Sequence, residues 1–440
     1  MTRPTAGTSC WEPAELPPVP QLQGVVTADV AVVGAGLAGL ACAYHLTERA
    51  PGLDVAVIDA QRPAAGASGR GTGLLGPRAG PAVDRALRRY GPRAARRMYV
   101  ASERAVRAVV ELCERIDARC GLRPGPQIMA TRCPSGLVAL SRQAHAYRTL
   151  ELDVPALTGP AVRSRIGVPY AAGLLHRTAA TLDPAALTCA LARACAAKGV
   201  RFYGDSPLCT VRPGDLTGPE LVFPHGRLYA RQAVLAVNSA AQQIGLPVGT
   251  VLPLEVYALA TEPLSDDAYE ALGGDTGHAV VDAMPLAPYF RLLPDGGLVA
   301  GGGTALAPTG LAAPRLQAGR ERAWGWLESW MRSLHPHLLD VRVTHRWSGR
   351  IGMTADGLPV VGPVHGLSDV WYIGGCNGHG LAMSVAHGEY VAGALLGERT
   401  AADTLPWHRP AAPRLPTRGP AIPLLRTYVD ILGRSTRRAC

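Results

Sequence analysis

The chain has 440 residues, 48% hydrophobic and 18% charged, with a formal charge of +10. That excludes a disordered chain, and the 51 Gly and 38 Pro, which keep no strict period, exclude a collagen-like one. Ten scattered Cys without a C-x-x-C pair argue against a secreted disulfide scaffold and predict reduced thiols in a cytoplasmic protein.

The first thirteen residues lack an apolar core with a small-residue cleavage site, so no signal peptide is expected. Asp29 to Val33 is a short β-branched run and predicts a buried strand. Gly34, Gly36 and Gly39 then form G-x-G-x-x-G, with Ala35 and Leu37 between them. The first glycine permits a tight turn, the second lets a pyrophosphate approach the backbone, and the third lets the next helix pack closely. That helix, about Leu37 to Arg49, offers its amino-terminal amides to phosphates. A second strand, Asp54 to Ile58, ends at Asp59 and Ala60, where an acid is expected to hold ribose hydroxyls. Strand, glycines, helix, strand and acid together read as a dinucleotide-binding unit. The span Ala28–Leu46 is apolar enough to suggest a membrane segment, but Asp29 and the glycines fit a buried strand and helix better.

Residues 62–77 form a loop rich in Gly and Ser, able to lie along a pyrophosphate through its amides and Ser68. Residues 82–118 read as a basic helix with eight Arg between Arg85 and Arg107; a solvated helix face is favoured over a nucleic-acid surface, since no aromatics are interleaved to stack on bases. Strand character follows at Pro126–Thr131. The α/β pattern resumes with a helix from Pro184 to about Lys198, the strand Gly199–Tyr203 and the strand Gln232–Val237, which ends at Asn238. Residues 250–304 are rich in strands, and 371–382 read as a strand, a glycine turn and a helix start. Such a layout, a dinucleotide fold interrupted twice and closed by a carboxyl-terminal glycine turn, is that of a two-domain α/β flavoprotein. Leu424, Leu425, Tyr428, Ile431 and Leu432 fall at helical spacing in the tail, expected to pack on the body or on a second subunit rather than on a membrane.

From Trp11 to about Gly397 the chain resembles the FAD-dependent D-amino acid oxidase superfamily, with γ-glutamylputrescine-oxidase-like, glycine-oxidase-like and sarcosine-oxidase-like members nearest. The resemblance rests on the glycine fingerprint, on Gly66–Arg70, on the run from Trp347 to Gly362 and on the closing turn Gly375–Gly380. It implies a Rossmann-like, GR2-type FAD-binding domain over 27–92, 165–250 and 345–410. A second, mixed β-sheet substrate domain over 93–164 and 251–344 is inserted into it, and 411–440 form a tail. FAD is expected to contact Gly34, Ala35, Gly36, Leu37, Gly39, Asp59 and Ala60 at the fingerprint. It would meet Ala67, Ser68, Arg70, Thr72, Gly73 and Leu74 in the loop. Leu208 and Asn238 come next, followed by Gly375, Cys376, Asn377, Gly378, His379, Gly380, Leu381 and Ala382. Where sarcosine-oxidase-like enzymes attach flavin through Cys, the region near Ile351–Thr354 has none, so non-covalent FAD is expected; the loop also reads Gly71-Thr72 where relatives often have Asn-Gly. No metal is expected.

The chemistry implied is hydride removal from a carbon beside an amine, giving an imine that water hydrolyses to a carbonyl. The substrate is a small amine or amino-acid-like molecule, and the acceptor is O2 or another electron carrier. Tyr289, Tyr257, Arg350 and His379 are the candidate site residues. For the tyrosines a half-buried sheet aromatic is an equal reading, and for His379 a satisfied turn histidine. Arg291 flanks the Tyr289 strand, and Glu255 and Asp282 are either amine-holding acids or solvated rim. The cations that hold substrate carboxylates in relatives align with Ile351 and Ala382, so both are missing; Arg350 is one residue away, on the opposite face of a strand. Several relatives carry a Lys near the flavin that speeds reaction with O2, whereas the one Lys here, Lys198, falls on a cofactor-domain helix. A dehydrogenase, a tRNA-modifying member of the superfamily and a flavoprotein subunit without turnover are the competing readings. Nucleic acid and membrane are not expected partners, and the oligomeric state is left open.

Overall fold

A run of valines cannot stay in water, and the Gly24–Val33 strand buries its last four residues, Val30 to Val33. In the computed structural model, which describes residues 5–11, 16, 19–214, 218–283, 288–306, 313–398 and 405–415, this strand lies at the centre of a sheet. Val55–Ile58, Gly24–Val33, Gly226–Leu235 and Val370–Gly374 run parallel side by side. Their register aligns Ile58 with Val33, Val33 with Leu235, and Leu235 with Tyr372. The chain therefore leaves the strands at one carboxyl edge, where Gly34, Asp59, Asn238 and Gly375 gather. Arg201–Tyr203 extends the sheet beside Val55–Ile58.

Val30, Val32, Val55 and Val57 face the helices Leu37–Arg49, Pro184–Ala197 and Gly380–Leu395. Asp183 starts the second of these, its Oδ1 accepting from the amides of Ala185 and Ala186 at 2.8 and 3.0 Å ahead of Pro184's first turn. Gly388 lets the last helix cross the first at close range: a Cβ there would lie 2.6 Å from the Ala38 carbonyl oxygen. The opposite face of the sheet packs Ala31, Val33, Ala56 and Ile58 with Leu221 and Val248.

Val83–Arg115 breaks at Gly91, whose φ of 74° precedes Pro92. Arg85, Arg88, Arg89, Arg93, Arg96, Arg104 and Arg107 are exposed, while Ala86, Ala95, Met98, Tyr99 and Val106 are buried. The basic run is thus the wet side of an amphipathic helix. No helix among the described residues is long and apolar enough to cross a membrane, and Ala28–Leu46 is strand, turn and helix. The tail positions from Leu424 to Leu432 lie outside the described residues.

The second sheet orders its strands as 5–6, 343–353, 252–261, 298–306, 289–292, 279–282, 127–131, 172–176 and 156–158. Two of these depart from the expected division. Ala172–His176 pairs with Gln127–Thr131, and Val343–Met353 pairs with Leu252–Thr261, although both ranges touch segments assigned to the cofactor domain. Strand partnership is decided by long-range pairing, which the local pattern does not encode. One face of this sheet buries Tyr257, Leu259, Phe290 and Val280 against Trp324, Leu327 and Met331 of the Ala313–Arg332 helix. The other presents Ala258, Val299 and Trp347 to Trp11 and Ala185. This second face looks toward the Gly66–Leu75 loop, because the indole nitrogen of Trp347 donates to the Arg70 carbonyl at 2.9 Å.

Candidate functional site

The site is built where the carboxyl edge of the first sheet meets the inner face of the second. At the edge, Gly34 has φ +111° and a Cβ there would sit 2.6 Å from the Ala236 carbonyl oxygen. A Cβ on Gly39 would lie 2.0 Å from the Gly34 oxygen and 3.1 Å from Val32 Cγ1. A Cβ on Gly36 would meet Ser68 Oγ at 2.9 Å. These are the close approaches the spacing predicts.

Asp59 reaches back under the turn. Its Oδ2 accepts from Ala35 N at 2.7 Å and its Oδ1 from Gln61 N at 2.8 Å. Burial raises this carboxyl above its ordinary value, and the two amides offset only part of that rise. Ser68 Oγ accepts from Leu37 N at 3.0 Å, which leaves the hydroxyl proton to donate at the helix mouth. Ala60 and Ala67 are exposed beside these groups, whereas the Leu37 side chain is buried. Amides, a hydroxyl and an acid at a helix amino end suit a diphosphate with its ribose, so the residues present fit FAD on the structure's own geometry.

The loop continues inward. Arg70 donates through Nη1 to the carbonyls of Gly7 and Ser348 at 3.1 and 3.0 Å. Gly73, with φ +78°, passes Leu182, whose oxygen a Cβ would meet at 1.9 Å, and Leu74 pairs with Thr181. The buried Arg291 spans the two sheets: Nε donates to the Thr72 carbonyl at 2.7 Å and Nη2 to the Leu182 carbonyl at 2.8 Å. Its guanidinium lies 5.3 Å from the Trp11 ring centre, and Trp11 donates to the Gly71 carbonyl at 2.7 Å.

Asn238 and Asn377 hold the edge together. Asn238, left-handed at φ +46°, accepts from Gly375 N at 3.0 Å through Oδ1 and from the Tyr372 hydroxyl at 2.6 Å through its carbonyl. Asn377, at φ +54°, accepts from Thr354 N at 2.9 Å. These side chains therefore fix the closing turn, and Gly375 and Gly378, at φ +67° and +85°, shape it. His379 stands just before the helix that opens at Gly380 and Leu381, without a side-chain hydrogen bond to its first turn, and Ala382 is buried in that turn. Burial, then Arg78, pulls His379 down to about 3, so its imidazole is neutral at physiological pH and supplies no positive charge for reduced oxygen. Burial pushes the Cys376 thiol up to about 11. Leu208 lies apart, in the apolar cluster on the sheet face away from the first helix.

The substrate-side candidates divide. Tyr289 stands on the inner face with Arg291, two residues on, its ring over Gly301 and its hydroxyl end at Thr72. Tyr257 does not join it. It points to the outer face, where its ring meets Trp324 edge-on at 5.9 Å, and it is a core residue. Arg350 also misses the site: the unbroken register from Met353 to His345 puts it on the outer face with Ser348 and Glu255, exposed. Ile351 takes the inner position, 3.6 Å from where a Gly378 Cβ would lie. Glu255 is no amine holder, since its Oε1 accepts from Arg320 Nη2 at 2.6 Å and from Ser348 Oγ at 2.7 Å. Asp282 is buried on the outer face near Tyr170 and Arg132, and burial pushes it up to about 6. Accordingly Tyr257→Phe is expected to keep kcat/KM within about twofold, and Tyr289→Phe to lower it by about tenfold, through the loss of the hydrogen bond between its hydroxyl and Thr72. Steady-state kinetics of the two variants check this.

Sequence reasoning passed over Arg78 and undervalued Arg291. A signal for Arg78 was its place after the apolar Leu74–Pro77 stretch, off the basic helix. Among the described residues no cluster of three or more His, Cys, Asp or Glu is arranged to hold a metal.

The profile of the FAD-dependent oxidoreductase family DAO matches residues 29–394. The γ-glutamylputrescine oxidoreductase of Escherichia coli K12 is 27% identical over 416 residues, covering 92% of this chain and 92% of that protein. A probable oxidoreductase, OrdL, of Haemophilus influenzae is 26% identical over 396 residues, covering 87% of this chain and 86% of that protein. Glycine oxidase from Geobacillus kaustophilus has the same fold, with a TM-score of 0.72 at 20% identity over 87% of this chain and 98% of that one.

Proposed function

The chain belongs to the DAO family of FAD-dependent oxidoreductases, and on that premise, with a γ-glutamylputrescine oxidoreductase and D-amino acid dehydrogenases among its relatives, we propose that it oxidises a C–N bond of a small amine or amino-acid-like substrate to an imine. Water then releases the carbonyl product, and O2 is the acceptor, yielding H2O2. The observation that carries the reading is the meeting of Asp59, Ser68 and the Leu37 amide at the sheet edge with the Tyr289–Arg291 face opposite.

FAD, when bound, supplies the hydride acceptor. Asp59 and Ser68 would hold its ribose and diphosphate, and the glycine turn at 375–380 would lie along its ring system. The protein's own work is positioning and exclusion of water. Tyr289 borders the substrate from the second sheet. Neutral His379 offers a hydrogen bond rather than a charge, so the substrate ammonium loses its proton to solvent. FAD binds without a covalent link, consistent with a Cys376 thiol that burial keeps protonated.

Anaerobic mixing of the holoenzyme with amines, polyamines, N-methyl amino acids and amino acids should bleach the visible flavin band with at least one class. Readmitted air should then restore the band with one equivalent of peroxide. Retention of full colour with every compound, in enzyme that dithionite reduces, would sink the proposal; reoxidation without peroxide would replace oxidase by dehydrogenase.

A further inference from the structure

We propose that Cys113 and Cys120 form a reversible dithiol–disulfide couple, closed by a hydroperoxide and reopened by a thiol reductant. The couple is separate from the site described above and does not depend on which substrate or acceptor the enzyme uses.

Cys113 stands in the last turn of the Val83–Arg115 helix, and Cys120 lies seven residues on, in the turn that leads to Arg123–Pro124. The chain doubles back between them. Ala118 N donates to the Cys113 carbonyl at 2.8 Å and Cys120 N to the Ala118 carbonyl at 2.6 Å. Asp117, at φ +45°, and Gly121, at φ +57°, are the left-handed positions that permit the reversal. The two sulfurs are thereby brought to 3.7 Å, in a thiol–thiol hydrogen bond. Rotation of two short side chains closes that gap to a bond. Both thiols are buried, but the turn that joins them is at the surface, with Asp117, Arg119 and Gly121 exposed. A small oxidant needs only the local opening of this turn to reach them.

The two sulfurs are not equivalent. The hydrogen bond from Cys113, helped by the amides of Cys120 and Leu122, holds the Cys120 thiol below its ordinary value in spite of burial. The same bond, then burial, pushes Cys113 up. Cys113 also lies at the carboxyl end of a helix, whose dipole opposes a thiolate. Cys42, by contrast, is pushed up to about 12 by burial alone, and its thiol is inert. Cys120 is therefore the attacking thiolate. Its sulfur bonds one peroxide oxygen, the O–O bond breaks, and the other oxygen leaves and takes up the thiol's proton. Cys113 then attacks the Cys120 sulfur: the S–S bond forms, the S–O bond breaks, and the oxygen departs as water with the Cys113 proton. Two thiols lose two electrons, and one peroxide gains them.

The Cys120 carbonyl accepts from Asp183 N at 2.7 Å, and Arg123–Pro124 pairs with Ala180–Thr181, which also pairs with Leu74–Leu75. The couple thus sits one hydrogen bond from the cap of the Pro184–Ala197 helix.

The test treats reduced holoenzyme, freed of reductant, with a small excess of hydrogen peroxide, then blocks it with N-ethylmaleimide and digests it with trypsin. Cleavage after Arg107, Arg115, Arg119 and Arg123 puts the two cysteines on separate peptides, 108–115 and 120–123. These should be found joined in most of the oxidised protein and separate again after dithiothreitol. Cys113→Ser should stop at a Cys120 sulfenic acid that dimedone traps, labelled at least about tenfold more than Cys42. Cys120→Ser should leave Cys113 unmodified. Absence of the joined peptides from folded protein, or their appearance only after unfolding in urea, overturns the proposal. So does a joined species that dithiothreitol does not reopen, or dimedone on Cys113 in Cys120→Ser as strong as on Cys120 in Cys113→Ser. Should a serine variant not fold, the wild-type peptide map decides alone. Peroxide is supplied directly, so the outcome stands whether or not any amine bleaches the flavin.

Discussion

Replacing Gly39 by valine is expected to yield protein that retains less than a tenth of its FAD and melts well below the wild type. A Cβ at this position would lie 2.0 Å from the Gly34 carbonyl oxygen and 3.2 Å from its carbon. Neither is the far end of a flexible side chain. Gly34 sits at φ +111° with its own Cβ position blocked by Ala236, so the turn has no room to retreat. The helix must move out instead, and Gly388 shows that it is already pinned on its far side by the last helix. Overpacking in a well-packed core costs about 1–3 kcal/mol, and a clash with fixed backbone lies at or beyond the top of that range. Displacing the helix start also carries the Leu37 amide away from Ser68. Gly66→Ala is the control. It belongs to another glycine-rich motif of the site, but its Cβ would meet nothing within 4 Å and its φ is −83°. That variant should hold FAD as the wild type does. Flavin-to-protein absorbance after gel filtration and thermal melts with and without added FAD decide; a stoichiometric yellow Gly39→Val would refute the argument.

The contrast between these two glycines also marks how far the sequence could be read. Both stand in recognisable motifs, yet only packing tells which one is indispensable. The local βαβ unit was legible because its signals are local: the Leu37–Arg49 helix runs as the spacing predicts, and Asp59 ends its strand at the aligned edge. The alternation of a strand set Arg350 opposite Ile351, where it is found, but it left the pocket and sheet-core readings of Tyr257 level, because it says that neighbours face opposite ways and not which way is inward. That choice is made by the pairing of Leu252–Thr261 with Val343–Met353 and by the helix that covers one face. Asn238 and Asn377 looked like ligand contacts. Their left-handed backbone and their bonds to Gly375 and Thr354 show side chains that build the edge on which a ligand rests. Arg78 stood among many arginines, and its orphaned Nε, a feature it shares with Arg132 and Arg346, shows only in the folded chain.

Arg291→Leu is expected to loosen the join between the two sheets and lower stability by about 2–5 kcal/mol, because two enclosed carbonyls lose their donor at once. The residue sits on the second sheet, but both of its acceptors, Thr72 and Leu182, belong to segments that pack on the first. Burial pulls its guanidinium down only to about 10, so it is charged at neutral pH and its two bonds are charge-assisted. Gly73 is squeezed between the same two partners: a Cβ there would lie 1.9 Å from the Leu182 oxygen and 2.6 Å from Arg291 Nη2. The fork thus sets the path of the 71–75 segment, and with it Thr72 beneath the Tyr289 hydroxyl. Asp59 and Ser68, proposed above to hold the ribose and diphosphate, lie elsewhere, so Arg291→Leu should still take up FAD while its kcat/KM falls by about 10–100-fold through misplacement of the loop. Arg291→Lys should recover little, since one ammonium cannot reproduce two fixed N–H directions. A thermal melt separates this from the Gly39 case: added FAD should raise the melting temperature of Arg291→Leu but not of Gly39→Val. Wild-type stability and wild-type kcat/KM in Arg291→Leu would show that the loop keeps its path without the fork.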